Sequence, residues 1–292
     1  MADEPNPKSS PSDDISRRDF VSMTVAAGLA AAAGANVAAQ QPVMEMNVNI
    51  TTPDGTCDAA FIHPTTGAHA AVIIWPDAFG LRPSMRDMAR RLAAEGYSVL
   101  VPNPFYRVAK APLFESAANF NFGDPAQRAK LTPLMGSITA AGAAERDAAA
   151  FVAWLDTQRA VDRNKKIGTQ GYCMGGPLVV KTAASQPNRI GAGASFHGGG
   201  LVTPNPDSPH LMATRIKGRM MIAVAANDDM QQPEAKTTLK AAFDAAKVPA
   251  TVEVYPAQHG WCVPDMPNGI YARAEADRAW SNLLALYKAG LA

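Results

Sequence analysis

Residues 171–175, written GYCMG, place a single cysteine between two glycines directly after a short strand-like run. A thiol that only fills space in a core does not need glycines on both sides. A tight turn from a strand into a helix does need them, and the pattern matches the G-x-S-x-G nucleophile elbow with cysteine in place of serine. The N-terminus of the following helix favours a negative sulfur. The pattern predicts that Cys173 is a catalytic nucleophile, with an inert buried thiol as the alternative.

Two later segments supply the partners that a cysteine nucleophile needs. Asp228 and Asp229 follow one predicted strand, and His259 follows the next. The order nucleophile, acid, histidine is the one found in proteins that carry the nucleophile elbow. In these proteins the histidine takes the proton of the nucleophile and the acid orients the histidine ring. We therefore predict the triad Cys173–Asp228–His259. Asp229 competes with Asp228 for the acid's role, leaving the other residue as a loop cap, and a structural role is the alternative for His259.

Other residues at these strand ends are candidates for the rest of the site. The amides of Ala78, after the first buried parallel strand, and of Met174, after the nucleophile, are predicted to form the oxyanion hole. His197 ends another predicted strand and either lines the cleft or has a packing role. Triad chemistry needs neither a metal nor an organic cofactor, and we predict none.

These residues must be carried by a scaffold of alternating strands and helices. Short apolar runs bounded by turn residues predict strands at residues 44–50, 57–63, 70–75, 97–101, 166–170, 190–196, 219–225 and 251–255. Helices are predicted at residues 86–95, 140–156, 177–184, 233–246 and 272–288, and residues 103–137 are predicted to be irregular. Such alternation is typical of βαβ units, so we predict an α/β protein with a mostly parallel sheet and helices on both faces. Residues 40–292 are predicted as one domain, because no linker or repeat divides them.

The first 39 residues have the pattern of an export signal and are left out of the fold prediction. Arg17 and Arg18 precede a moderately apolar run at residues 25–33, and residues 37–39 (VAA) offer a cleavage site of small residues. The segment resembles a twin-arginine signal. A membrane-anchoring helix is the alternative, but the run is short and mostly alanine. We therefore expect a periplasmic or exported protein that has no membrane association once the signal is removed.

Composition excludes several other classes of protein. The chain of 292 residues has 47% hydrophobic residues, a net charge of +1 and no basic run after residue 20, which argues against a nucleic-acid partner. The three cysteines have neither zinc-site nor redox-motif spacing. A disulfide between Cys57 and Cys262 stays open, because sequence cannot show whether their Cβ atoms meet.

From about residue 45 to the C-terminus the chain resembles the dienelactone hydrolase family. Four segments carry the resemblance in order: residues 75–81 (WPDAFGL), 171–176 (GYCMGG), 226–229 (ANDD) and 259–260 (HG). The resemblance implies a compact α/β-hydrolase fold, Cys173 as the nucleophile and Asp228 as the acid that orients His259. It also implies carboxylated unsaturated lactones as substrates, held by arginines, for which Arg82 and Arg107 are the candidates.

Asp77 departs from the family's pattern. The family usually has a glutamate at this position, which helps to form the thiolate when substrate enters, and aspartate is one methylene shorter. Asp77 is therefore a candidate either for thiol activation or for holding the cleft. Some activation is needed, because a free cysteine is only a few per cent thiolate at neutral pH.

Three functions are compatible with these patterns. The first is hydrolysis of an ester or lactone through a Cys-His-Asp triad and a thioester, with a small molecule as the partner. The second is a general carboxylesterase or thioesterase with an apolar acyl pocket and no functional arginine. The third is an exported binding protein that keeps the fold without the chemistry. The sequence does not determine the oligomeric state.

Overall fold

A computed structural model describes residues 41–267 and 269–292 of the chain. The predicted export signal at residues 1–39 lies outside the described residues. The described chain is built on one eight-stranded sheet with the order β1-β2-β4-β3-β5-β6-β7-β8. The strands are β1 (Val43–Thr52), β2 (Gly55–Pro64), β3 (Ala71–Trp75), β4 (Ser98–Pro102), β5 (Ile167–Tyr172), β6 (Ile190–Phe196), β7 (Arg219–Ala225) and β8 (Ala250–Tyr255).

The sheet is parallel from β4 to β8 and antiparallel at the β1–β2 edge. β1 and β2 form an antiparallel hairpin, in which Thr52 pairs with Gly55 across the turn. β2 then pairs antiparallel with β4, and β3 and β5 to β8 add parallel strands. The carboxyl ends of parallel strands lie along one edge of a sheet, so the segments after β3, β5, β7 and β8 meet there.

Helices cover both faces of the sheet, as predicted. They are α1 (Pro83–Ala94), α2 (Pro125–Thr139), α3 (Ala143–Leu155), α4 (Gly175–Ser185), α5 (Ala226–Gln231), α6 (Ala235–Ala245) and α7 (Arg273–Gly290), with a 3-10 helix at Pro209–Arg215. Apolar side chains of α3, α4 and α6 join one buried cluster, and those of α1 and α7 join the cluster on the other face. Burial of two separate apolar surfaces against one sheet is what stabilises this three-layer arrangement.

The prediction of an irregular segment at residues 103–137 was wrong for residues 125–137, which are helical. α2 begins at Pro125, where the missing N–H of proline costs no helical hydrogen bond. Asp124 caps it by accepting a hydrogen bond from the Ala126 N–H at 2.8 Å. Pro133 lies inside the helix, where proline is ordinarily unfavourable, so the local sequence does not predict this helix. None of the described helices combines the length and the apolar character that crossing a bilayer requires.

Candidate active site

Cys173 lies in the turn between β5 and α4, at the carboxyl edge of the sheet. Its φ of 52° is in the left-handed region, which a non-glycine residue adopts only under strain. Its backbone N–H donates to Phe196 O and to His197 Nδ1, both at 3.1 Å, and its carbonyl accepts from the Gly176 N–H at 3.0 Å. These bonds hold the turn in the conformation expected of a nucleophile elbow.

The glycines around Cys173 are required by close backbone contacts. A Cβ atom on Gly171 would lie 2.2 Å from Gly175 O, and one on Gly175 would lie 2.3 Å from Trp75 O. The start of α4 therefore lies directly against the end of β5 and the end of β3. Because β3 leads into the loop that contains Ala78, this packing brings that loop beside the nucleophile.

His259 and Asp228 meet at the neighbouring strand ends. His259 Nδ1 lies 2.7 Å from Asp228 Oδ2, and the backbone N–H of His259 donates to Asn227 Oδ1 at 2.8 Å. Asp228 lies in the first turn of α5, directly after β7, rather than in an open loop. Asp229 turns away and accepts from Lys236 Nζ at 2.6 and 2.8 Å. The structure thus pairs the first of the two aspartates with the histidine.

The ring of His259 is more basic than an ordinary imidazole. Burial opposes its charged form, but hydrogen bonds with Asp228 and then with Cys173, together with the negative charge of both groups, raise the pKa of His259 to about 10. Nδ1 is engaged by Asp228, so Nε2 is the nitrogen that faces the sulfur. At neutral pH the ring therefore carries both protons, so Nε2 has a proton to give.

His197 lies beneath the nucleophile turn rather than at the surface. Its side chain is buried, its φ is 40°, and its ring centroid is 4.9 Å from that of His259. Burial and the proximity of His259 hold its pKa well below the usual range, so the ring is neutral. Because Nδ1 accepts from the Cys173 N–H, the proton is on Nε2, which has no hydrogen-bond partner in the described part of the chain.

The two amides predicted for an oxyanion hole are unoccupied by the protein's own acceptors. Ala78 lies in the loop after β3, and Met174 is the residue before α4. Within residues 41–267 and 269–292, neither N–H donates a hydrogen bond to another protein group. Two such amides beside a nucleophile can bind the negative oxygen of a tetrahedral intermediate.

Asp77 and Arg82 form a buried ion pair instead of facing the cleft separately. Arg82 is 1% exposed, and its Nη1 and Nη2 atoms donate to the two carboxylate oxygens of Asp77 at 2.7 and 2.9 Å. Its Nε and Nη2 atoms also donate to Asp265, both at 2.8 Å. The charge of Arg82 is therefore matched by two carboxylates of the protein.

Arg107 is also engaged by two carboxylates, near the β1–β2 turn. It donates to Asp54 at 2.6 and 3.1 Å and to Asp147 at 2.7 and 2.9 Å. Neither arginine is in the arrangement expected of a group that waits for a substrate carboxylate.

An aromatic cluster of Phe79, Phe114, Phe120 and Phe122 borders the loop that contains Ala78. Its rings pack edge to face around Phe79, with centroid distances to Phe79 of 4.9 to 5.9 Å. Met266 packs against the cluster and also lies 2.8 Å from where a Cβ on Gly260, the residue after His259, would be. Phe122, at the margin, is 44% exposed.

The three cysteines are free thiols. Cys57 packs in the cluster on one face of the sheet and Cys262 against the other, so the disulfide left open by the sequence is not formed. Burial raises the pKa of both thiols above the ordinary range. In the described part of the chain no three His, Cys, Asp or Glu side chains are grouped as a metal site.

Comparison with known proteins shows which family has this architecture. The model of the dienelactone hydrolase family matches residues 57–291 of the chain. The chain belongs to this family. The resemblance drawn from four sequence motifs is thereby confirmed, as is the α/β-hydrolase fold. As a dienelactone hydrolase family member, the protein is a hydrolase of carboxylic esters or lactones.

Individual relatives of this dienelactone hydrolase family protein are distant. Carboxymethylenebutenolidases of Rhodococcus opacus and Cupriavidus pinatubonensis are each 26% identical, over 69% and 82% of this chain and 74% and 97% of their own. A crystal structure of a dienelactone hydrolase from Anabaena variabilis has a TM-score of 0.59 at 15% identity, covering 86% of this chain and 99% of that one. A dienelactone hydrolase-like promiscuous phosphotriesterase from metagenomic libraries has a TM-score of 0.68 at 23% identity, covering 86% and 99%.

Two residues of the site were missed by the sequence analysis. Asn227 was part of a recognised motif, and its place beside the acid could have suggested that it holds the histidine loop. Asp265 has no local signal, because its partner Arg82 is far away in the sequence. Such a pair becomes visible only when the loops are brought together.

Proposed function

We propose that this protein hydrolyses an ester or lactone by way of a thioester on Cys173. One arrangement carries the proposal: a cysteine on a strained turn beside a histidine whose Nδ1 is held by Asp228 at 2.7 Å. A nucleophile, a proton carrier and an orienting acid in this relation act as one catalytic unit.

In the first half of the reaction, the Cys173 sulfur attacks the carbonyl carbon and forms a C–S bond while the carbonyl electron pair moves to oxygen. The amides of Ala78 and Met174 stabilise that negative oxygen. The electron pair then returns, the C–O bond to the leaving group breaks, and the leaving oxygen takes the proton from His259 Nε2. A thioester and a neutral histidine remain.

In the second half, His259 changes from acid to base. A thioester sulfur carries no negative charge, so the part of the raised pKa of His259 that comes from Cys173 is lost in the intermediate. The neutral ring takes a proton from water, whose oxygen attacks the thioester carbon. The C–S bond then breaks, and the thiolate, the protonated ring and the free acid are restored.

Uncharged esters with an apolar acyl group are a second candidate substrate class. Arg82 and Arg107, which would hold a carboxylated lactone, are each paired with two protein carboxylates. The aromatic cluster beside Ala78 offers apolar surface to an acyl group instead. These observations favour a general esterase specificity on the same triad.

The test is hydrolysis of a dienelactone and of a neutral chromogenic acetate ester by the protein and by Cys173→Ala. We expect turnover by the parent only, and a mass increase on Cys173 that corresponds to the acyl group in acid-quenched samples. Lactone turnover alone favours the carboxylated substrate class, and ester turnover alone favours the general esterase. Equal rates in both proteins, or no turnover and no acylation in either, would contradict the cysteine mechanism and leave a binding role.

We also propose that residues 1–39 export the protein through the twin-arginine route. The proposal is supported by Arg17 and Arg18 ahead of a weakly apolar run. We expect the mature protein in the periplasmic fraction, and expect a variant with both arginines changed to lysine to stay in the cytoplasm as precursor. Export of that variant at the parental rate would contradict the route.

A further inference from the structure

The Arg82 guanidinium joins two loops of the candidate active site. On one side it makes a two-pronged ion pair with Asp77, at 2.7 and 2.9 Å, and on the other a second one with Asp265, both bonds at 2.8 Å. Arg82 is 1% exposed, and Asp77 is 2% exposed. A planar guanidinium with five donors can hold two carboxylates in fixed orientation, which a lysine cannot do.

Each carboxylate belongs to a segment that carries a group of the proposed mechanism. Asp77 immediately precedes Ala78, and its Oδ1 also accepts from the Phe79 N–H at 2.9 Å. Asp265 lies in the loop that follows β8 and contains His259. Asp265 Oδ2 also accepts from the Ala117 N–H at 3.2 Å, in the segment that carries the aromatic cluster.

The electrostatics make this connection rigid. Burial opposes the charges, but the two carboxylates raise the pKa of Arg82, and its guanidinium lowers the pKa of Asp265. Removing one member of such a group leaves an uncompensated buried charge, which is strongly unfavourable. The three side chains therefore hold one arrangement.

Both oxygens of Asp77 accept hydrogen bonds within this group. His259, in contrast, is bonded through Nδ1 to Asp228 Oδ2 at 2.7 Å, and Cys173 is among the groups that raise its pKa. The contacts thus assign Asp77 to the ion pair and His259 to the thiol.

We propose that Arg82 is a positioning residue that holds the Ala78 amide and His259 in register through Asp77 and Asp265, and that Asp77 does not activate the thiol. This inference rests on the proposed function. It differs from a role of Arg82 in substrate binding, because loss of a positioning group lowers kcat, whereas loss of a carboxylate-binding group raises KM.

The test measures kcat and KM for Arg82→Lys, Arg82→Met and Asp265→Asn with the ester or lactone that the parent hydrolyses. We expect Arg82→Lys to lower kcat about 100-fold with little change in KM, the loss that follows a displacement of about 1 Å between reacting groups. Arg82→Met should be worse, and where it fails to fold, the charge-preserving Lys and the isosteric Asn variants still decide. Arg189→Lys is the matched control, because Arg189 also makes a two-pronged ion pair, with Asp156. This pair lies next to the amino-terminal end of β6, whereas the candidate active site lies at the carboxyl ends of the strands.

Alkylation of Cys173 by iodoacetamide separates positioning from thiol activation, because it reports the thiolate without an oxyanion hole. We expect Asp77→Asn to lower kcat and to leave the alkylation rate and its pH profile unchanged. Slower alkylation or a shifted profile would show that Asp77 activates the thiol and would overturn the proposal. If Arg82→Lys had the kcat of the parent, the positioning role would be contradicted while the proposed function would stand. If the parent hydrolysed neither substrate, the proposed function and the positioning role would both be contradicted.

Discussion

His197 Nδ1 accepts a hydrogen bond from the backbone N–H of Cys173 at 3.1 Å. The bond joins the end of β6 to the turn after β5, and it uses the one lone pair of a buried neutral imidazole. The nucleophile is thus held by its backbone from the neighbouring strand, while its sulfur faces His259. A residue that the sequence left between cleft and packing has a defined contact with the nucleophile turn.

Replacing His197 by leucine should weaken catalysis moderately. The Cys173 N–H keeps its bond to Phe196 O, so the variant loses one of two acceptors. A net loss of about 1 kcal/mol, or about fivefold in kcat, is expected at little change in KM. His210→Leu, which removes a histidine bonded to Ser208, is the control. Steady-state kinetics with a neutral ester checks this, and an unchanged kcat in His197→Leu would contradict a positioning role.

The two adjacent aspartates should differ sharply in their effect on activity. Asp228→Asn removes the carboxylate that holds His259 Nδ1–H and should lower kcat by on the order of 10⁴-fold, as loss of the correct histidine tautomer does. Asp229→Asn loses only a surface pair with Lys236, worth about 0–1 kcal/mol, and should retain activity. Parallel measurement of kcat for the two variants tests the assignment. A larger loss in Asp229→Asn would reverse it.

A methyl group on Gly171 should damage the nucleophile turn. The added Cβ would lie 2.2 Å from Gly175 O, so the start of α4 must shift. Gly171→Ala is expected to lower the free energy of unfolding by at least about 1–3 kcal/mol, the usual cost of overpacking, and to abolish activity. Gly199→Ala, where nothing lies within 4 Å of the new Cβ, is the control. Urea denaturation of both variants checks the prediction, and equal stability would contradict the close packing.

The stability of the fold should decrease as pH rises from neutral. His259 has a pKa of about 10 in the folded protein against 6.5 for the ordinary group, so between these values the folded state holds a proton that the unfolded chain releases. This contribution is fully present below about pH 6.5 and is lost as pH rises through about 10. Urea unfolding at pH 6, 8 and 10 measures the decrease.

Cys173→Ser provides the control for the pH dependence, because it removes the sulfur that helps to raise the pKa of His259. We expect a smaller decrease in stability over the same pH range in this variant. A decrease of the same size in both proteins would mean that the sulfur does not contribute.

Much of the architecture follows from local patterns in the sequence. Apolar runs of strand length, helices between them and the glycines around Cys173 are set by backbone sterics and burial, which act on neighbouring residues. The chain order of Cys173, the aspartates and His259 could likewise be predicted, because successive parallel strands end at one edge. α2 departs from these patterns, because it contains two prolines, one of which begins the helix while the other lies inside it.

Only the tertiary structure decided how the charged side chains pair. Sequence could not choose between Asp228 and Asp229, because the choice depends on the direction in which each leaves the first turn of α5. It suggested Arg82 and Arg107 as substrate-binding groups, but Arg82 is buried and Arg107 half-buried, and such cations need nearby carboxylates, which come from Asp265 and Asp147 in distant segments. Secondary structure is governed by contacts close along the chain, whereas ion pairs are governed by distances in space, which exist only once the chain has folded.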